Sequence, residues 1–406
     1  MNILFLYGAE INPERGGVQR VTSVLADEFS RRGNGVFYLS LPQNRTANAH
    51  AERQFFLPET KFGTPANREF LKNFLREKRI DVVVNQGGNG NECSGLAYAA
   101  KDAGVPVVSV CHCGLIDSAK NYRAIHETAW KRRGLGWLLP LTDWTPVKKL
   151  FLALYKKKYQ THYRELCAKS DRVVLLSENF KKELAFYFDG EHCPGNVVAI
   201  PNPCSFPPPE TALNPAEKRK ELLFCGRIDF SQKRVDLMLE IWRRLFKEFP
   251  DWCLTIVGGG AALDSAKRMA EKMNLERVGF EGFQDPRSYY ERAAVFCMTS
   301  AWETFGLVLV EAMNYGCVPV AFNSYAAAAD IIDDGENGIL VPPMDCEKYA
   351  NALAALMRDS ARRERMAQAA AEKSFTFSIE EISNKWEKHC SCAIDKKQQE
   401  KGKTCR

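Results

Sequence analysis

The chain has 406 residues, of which 45% are apolar and 26% charged, and a net charge of +6. That length is too great for one ordinary core and suggests two domains, and the apolar fraction is that of a folded protein. No run of eighteen apolar residues occurs to suggest a membrane-spanning helix, and the modest charge, without a nucleic-acid module, argues against a nucleic-acid partner.

Met1 to Tyr7 is apolar, has no basic leader and soon meets Glu10 and Glu14, so it reads as a first core strand (residues 2–7) and not as a signal peptide. A polar loop from Gly8 to Gly17 and an amphipathic helix from Val18 to Arg32 follow. Strand, glycine loop and helix in that order make a general cradle for phosphate or sugar. Gly16-Gly17 is too short for a dinucleotide fingerprint, which disfavours a nicotinamide dehydrogenase. Further strands at 35–39, 81–85, 105–110 and 172–176 alternate with helices, the pattern of βαβ units and a parallel sheet. Gly87-Gly88-Asn89-Gly90-Asn91 reads as a flexible loop at a strand's C-terminal end, where open α/β sheets bind ligands. His112 stands at the end of the next strand, as either a structural hydrogen-bonding residue or a site residue.

Residues 115–163 differ in composition. Lys120, Arg123, Lys131, Arg132, Arg133, Lys148, Lys149 and Lys156 to Lys158 are interleaved with Trp130, Trp137, Trp144, Phe151 and Tyr155. Such a mixture fits a monotopic membrane surface, with lysines reaching lipid phosphates and aromatics at the interface. It also fits a solvated basic face around a few core tryptophans. Cytoplasmic placement, peripheral on the inner face of the membrane, is the corresponding expectation. The fourteen cysteines are scattered, and the pairs Cys111/Cys113 and Cys390/Cys392 have CxC spacing without a matching half. They read as small buried thiols in a reducing compartment and not as a metal site.

Ser177 to Asn179 caps a short helix, and a strand at 196–201 leads to a proline-rich stretch, Pro201 to Pro209, that reads as an interdomain linker. The expected domains are 1–203, completed by a C-terminal helix at 376–392, and 204–375, with a disordered tail at 393–406. In the second, the strand Glu221 to Gly226 delivers Arg227, and Lys233 heads the helix 235–249. A planar fork and a mobile point charge at a strand-to-helix crossover suit a diphosphate. The strand 252–257 ends in Gly258-Gly259-Gly260, and the strand 278–283 carries Gly282 and Phe283.

The chain then reaches Glu303-Thr-Phe-Gly-Leu-Val-Leu-Val-Glu311, between a buried strand at 293–298 and a helix closing at Gly316. Eight residues are a little over two helical turns, so the glutamates can share a side about 12 Å apart. The amides of Thr304, Phe305, Gly306 and Leu307 lie between them at a helix N-terminus, where a phosphate is favoured. A dipole-favouring Glu303 and a solvated Glu311 would also fit that spacing. The apolar run between them implies burial instead, where an unpaired glutamate is costly.

Here the chain resembles the retaining GT-B glycosyltransferases of family 4, whose marker is Glu, seven residues, Glu. The resemblance covers nearly the whole chain and is strongest from Glu221 to Pro343. It implies an α/β fold of two Rossmann-like parallel-sheet domains facing a cleft, the first binding acceptor and the second a nucleotide diphosphate sugar, UDP- or GDP-linked. It places Gly16 and Gly17 by the donor diphosphate, His112 by the donor sugar and Gly282-Phe283 against the base. Arg227, Lys233 and the amides after Glu303 then stabilise the leaving diphosphate without a metal or other cofactor, Glu303 holds the sugar and Glu311 the ribose. Arg234 stands where the family has glycine, and Asn202-Pro203 where it has Asn-Gly. The implied activity is retaining transfer to a hydroxyl of a lipid-linked or polysaccharide-precursor glycan. The alternatives are a nucleotide-sugar epimerase on the same frame and a non-catalytic nucleotide-sugar-binding subunit.

Overall fold

The computed structural model describes residues 1–42, 52–122, 130, 133–190, 193–210 and 213–404. They form two compact units, one of Met1–Leu115, Ala153–Ser205 and Ser378–Arg406, the other of Ile116–Leu152 and Phe206–Phe377.

The first unit holds seven parallel strands: β1 (Asn2–Tyr7), β2 (Gly35–Ser40), β3 (Gln54–Phe56), β4 (Val82–Asn85), β5 (Val107–Cys111), β6 (Arg172–Leu175) and β7 (Val197–Ala199), in the order β3-β2-β1-β4-β5-β6-β7. A parallel sheet covered on both faces requires strands apolar along their length. Ile3 to Leu6 are fully buried, as are Val82 to Val84 and Val107 to Cys111. The chain runs outward from β1 to β3 and returns to the far side of β1 at β4, so the order reverses between β1 and β4. Helices α1 (Gly17–Arg31), α2 (Pro65–Glu77) and α3 (Asn91–Asp102) make the crossovers. The edge strand β3 is too short, at three residues, to leave a periodic signal in the sequence.

The helix α4 (Thr145–Lys169) carries the later part of the basic stretch. Ile116–Leu152 groups with the second unit, not the first. Among the described residues there, Tyr122 stacks on Phe151 at 4.5 Å and meets Trp130 edge-on at 6.2 Å.

In the second unit, β8 (Arg219–Cys225), β9 (Cys253–Val257), β10 (Val278–Gly282), β11 (Ala293–Met298), β12 (Val318–Phe322) and β13 (Ile339–Val341) form a parallel sheet ordered β10-β9-β8-β11-β12-β13. The reversal falls between β8 and β11. Helices α5 (Val235–Leu245), α6 (Leu263–Lys272), α7 (Leu307–Asn314), α8 (Cys346–Arg358) and α9 (Ser360–Ser374) flank it. Trp242 and Trp252 are buried in one core with Phe224, Leu254 and Tyr349. The last helix, α10 (Ile379–Thr404), belongs to the first unit, where Arg32 binds Glu387 at 2.9 Å and Asn384 at 2.7 Å. It continues through the stretch expected to be disordered. Ala393 is buried, and the lysines, glutamines and glutamate beyond it are good helix formers.

Among the described residues the cysteines are free thiols, and no helix is long and apolar enough to cross a membrane.

The glycine triplet after β9 lets two loops cross closely. Gly258 has φ +138°, and a Cβ there would lie 1.9 Å from the Gly226 carbonyl oxygen; at Gly259 the nearest atom would be 3.8 Å away. Gly258→Ala is therefore expected to destabilise the fold by about 3 kcal/mol, through strain and overpacking, while Gly259→Ala is tolerated. Denaturant unfolding of the two variants checks this, and equal stabilities would contradict the close approach.

Candidate functional site

The site grows from the C-terminal ends of β8 and β11, the two strands at the reversal. Past Cys225 the chain turns at Gly226 and delivers Arg227 into a loop organised by Asp229. The Asp229 Oδ1 accepts from the backbone N–H of Ser231 (3.0 Å), Gln232 (2.6 Å) and Lys233 (3.1 Å). Its Oδ2 accepts from Arg227 Nε at 2.9 Å, and the Arg227 guanidinium also reaches Gln232 Oε1 at 2.6 Å. Burial alone would push the Asp229 carboxyl up; the hydrogen bonds from Arg227 and from the two amides outweigh it and hold it below the usual carboxylate range. A carboxylate that accepts several successive amides is an Asx-type turn, and this one fixes both cations.

The next residue explains a departure from the family pattern. Arg234 lies at φ +53°, the left-handed region that glycine adopts without cost, and caps α5 in that conformation. Its guanidinium is tied to Asp236, with Nε to Oδ1 at 3.0 Å and Nη2 to Oδ2 at 2.8 Å.

The loop after β11 is stitched to this one. Thr299 Oγ1 donates to the carbonyls of Lys233 and Arg234, both at 3.0 Å, and the Ala301 amide donates to the Gln232 carbonyl at 2.7 Å. Glu303, 7% exposed, then receives Lys233 Nζ at 2.5 Å and Ser300 Oγ at 2.7 Å, both on Oε1. That leaves Oε2 for another partner. Thr304 and Phe305 lead to Gly306, at φ +92°, and α7 begins at Leu307 with no side-chain cap on its first amides. This helix, eight residues long, carries Glu311, 1% exposed, its Oε2 accepting the Tyr290 hydroxyl at 3.2 Å.

This corrects the helical-spacing argument, because Glu303 sits in an irregular loop four residues before the helix. Both glutamates are nonetheless buried and hydrogen-bonded, as the apolar run between them requires. Gly282 adopts φ +70° and its carbonyl accepts the Gly258 amide at 2.7 Å; Phe283 beside it is 87% exposed. The structure thus brings Arg227, Lys233, Glu303, the amides to Leu307, Glu311 and Gly282-Phe283 into one unit.

In the first unit Gly16 and Gly17 are exposed where α1 begins, again without a side-chain cap. His112 follows β5, and its Nε2 meets the carboxamide oxygen of Gln86 in a short hydrogen bond, while its amide donates to Asn89 Oδ1 at 2.7 Å. The loop read as flexible is pinned: the Gly88 amide donates to the Val110 carbonyl at 3.0 Å, and His162 Nε2 meets the Gly88 carbonyl at 2.8 Å. Burial holds the His112 pKa down at about 4, so the ring is neutral near pH 7. The bond to an amide oxygen then places the proton on Nε2.

Lys120 and Arg133 are exposed and Trp137 is 72% exposed, whereas Arg123, Lys131 and Arg132 lie outside the described residues. Sequence reading passed over Asp229 and Gln86. The first of these carried a signal, an aspartate two residues after the Gly-Arg turn where side-chain-to-backbone bonds form. Among the described residues no group of three or more His, Cys, Asp or Glu side chains could hold a metal ion.

Residues 210–373 match the family described as glycosyl transferases group 1, and residues 15–205 match glycosyltransferase family 4. An uncharacterized glycosyltransferase of Haemophilus influenzae is 30% identical over 53% of this chain and 60% of its own length. The amylovoran biosynthesis glycosyltransferase AmsD of Erwinia amylovora is 30% identical over 53% of this chain and 61% of its own. These matches span about three-fifths of the relatives' length. Among solved structures, Anabaena HepE in complex with UDP and glucose superposes with a TM-score of 0.67 at 16% identity, covering 96% of this chain and 99% of that one. That likeness establishes the two Rossmann-like sheets of the GT-B fold.

The neutral His112 has a consequence for pH. Its folded pKa lies below the ordinary value of 6.5, so the unfolded chain binds the proton first and the stability this group contributes is lost as pH falls from about 6.5 towards 4. In an NMR titration the His112 ring signals are expected to stay those of the neutral form at pH 5.5; a midpoint near 6.5 would refute the desolvated environment.

Proposed function

Because the chain belongs to the GT-B glycosyltransferases, we propose that it moves a sugar from a UDP- or GDP-linked donor to a hydroxyl acceptor, with retention at the anomeric carbon. The observation that carries this reading is the cluster of Lys233, Glu303 Oε1 and Ser300 beside the uncapped start of α7, at the β8/β11 reversal. Open α/β sheets bind ligands at such a reversal. A cation next to free helix amides suits the diphosphate, and a carboxylate with an open oxygen suits sugar hydroxyls.

In the proposed reaction the bond from C1 to the donor's phosphate oxygen breaks while the acceptor oxygen adds to C1 on the same face. The acceptor's proton passes to the departing phosphate oxygen, and the nucleoside diphosphate leaves. Arg227, Lys233 and the amides from Thr304 to Leu307 hold the charge that develops on that group, the kind of preorganised stabilisation that dominates many enzymes. Glu303 holds the sugar, and Glu311 the ribose, for which its carboxylate would have to exchange or share the Tyr290 hydroxyl. His112, as a neutral ring, serves as a hydrogen-bonding partner of the sugar and not as a cation. The reading requires no metal ion.

The acceptor is proposed to be a lipid-linked or polysaccharide-precursor glycan, reached at an anionic inner membrane surface. AmsD is described as acting in amylovoran biosynthesis, which supports a glycan product. Support for the surface comes from residues 135–154, where Leu135, Trp137, Leu141, Trp144, Leu150 and Leu154 are 40–72% exposed. Lys148, Lys149, Lys157 and Lys158 are exposed alongside them. Large apolar side chains beside lysines match an interfacial membrane segment.

Lys233→Ala is expected to lower turnover by about a hundredfold or more, measured with a membrane-lipid acceptor, and turnover near that of the parent would remove Lys233 from the mechanism. Product NMR should show the donor's anomeric configuration, unaffected by a chelator; inversion, or conversion of donor without acceptor, would favour a different enzyme. In flotation with anionic liposomes at low salt, the double variant Trp137→Ala, Trp144→Ala should bind measurably less than the parent, and a parent that does not float at all would discard the membrane role.

A further inference from the structure

Among the described residues of the second unit, one buried hydroxyl has a presence that its fold does not explain. Tyr325 follows β12, is 5% exposed, and its Oη has no hydrogen-bond partner among the described residues. Other tyrosines buried in the unit are satisfied: Tyr290 donates to Glu311, and Tyr349 binds the Val320 carbonyl and the Met298 amide. An unmade hydrogen bond of this kind is costly, and a phenylalanine would fill the same space without that cost.

Its position points to what the hydroxyl is for. A Cβ at Gly306 would lie 2.5 Å from Tyr325 Oη, so the hydroxyl rests against the bare α-carbon of the residue that caps α7. The loop is held there rigidly, since Ser324 Oγ donates to the Ser300 carbonyl at 2.7 Å and the Asn323 amide to the Val341 carbonyl at 2.8 Å. Burial, and after it the negative charge of Glu303, keeps the phenol protonated, so it is available as a donor.

We propose that Tyr325 is a positioning residue for the donor's diphosphate, its hydroxyl donating to an oxygen of the sugar-side phosphate seated on the first amides of α7. This rests on the reading of the site as a nucleotide-sugar site. The sugar-side phosphate is the one concerned because Glu303, assigned to the sugar, precedes these amides, whereas Glu311, assigned to the ribose, follows them.

The test is Tyr325→Phe against the parent, by calorimetry with UDP and GDP and with the corresponding monophosphates, and by melting without ligand. The expected result is a Kd for the diphosphate weakened about tenfold, a Kd for the monophosphate unchanged, and a melting temperature equal to or above the parent's. Equal diphosphate affinities would overturn the inference. So would equal losses for mono- and diphosphate, or a lowered melting temperature, either of which would mean that the hydroxyl serves the fold. A parent that binds neither diphosphate would instead overturn the nucleotide-sugar reading, and this inference with it.

Discussion

The contact on which the candidate site depends is the pair between Lys233 Nζ and Glu303 Oε1, 2.5 Å long, with side chains only 16% and 9% exposed. Burying two charges gains little net stability, but removing one partner strands the other at a cost of about 3–5 kcal/mol. Within the protein the two charges therefore satisfy each other. A ligand that drew Lys233 away and offered nothing to Glu303 would leave an uncompensated carboxylate. A diphosphate carrying a sugar offers an anion for the lysine and hydroxyls for the glutamate, so both charges find partners in one exchange. Discrimination of this kind comes from what the wrong ligand leaves unpaired.

That pair exists because of strand order. Lys233 comes after β8 and Glu303 after β11, with β9 and β10 between them in sequence. The two strands are neighbours because the chain winds outward through β9 to β10 and returns beside β8. At a reversal the two connections leave towards opposite faces of the sheet, which opens a crevice outside those strand ends. The first sheet repeats the arrangement, with β1 leading to the Gly16 loop and β4 to Gln86 and the glycine loop. Asp229 and Thr299 turn this topology into precise placement by binding the loop backbones, which keeps the cations on a rigid support.

Much of this was legible in the sequence. Buried parallel strands announce themselves as apolar runs, and β1, β8 and β11 were found at nearly their observed bounds. The Gly-Arg turn and the two glutamates carry chemical types unusual for such an apolar neighbourhood. What escaped was whatever depended on contacts distant in sequence. Glu303 looked helical by spacing, but the left-handed Gly306 delays the helix to Leu307. The glycine loop after Asn85 looked flexible by composition. His162, some seventy residues later, holds it, and a Cβ at Gly88 would strike the Val110 carbonyl at 2.5 Å, so the glycines serve close packing and not mobility. Pattern reports local preference; the partners that override it lie elsewhere in the chain.

Buried polar groups differ in how far the fold satisfies them. Glu221, 2% exposed, is closed off by Arg292 at 2.9 and 3.0 Å and by Thr255 at 2.5 Å, and Asn85 is closed off by Ser94 and Ser109, each at 3.1 Å. Those groups sit within the sheets and complete the fold. Gln86 Nε2 and Tyr325 Oη are equally buried and have no partner among the described residues. Each follows the C-terminal end of a strand, one in each sheet, next to a residue that the chemistry points to, His112 and Glu303. A missing hydrogen bond in the interior of a sheet would be a defect. At the C-terminal end of one, where open α/β sheets bind ligands, a donor without an internal partner stays available to a ligand.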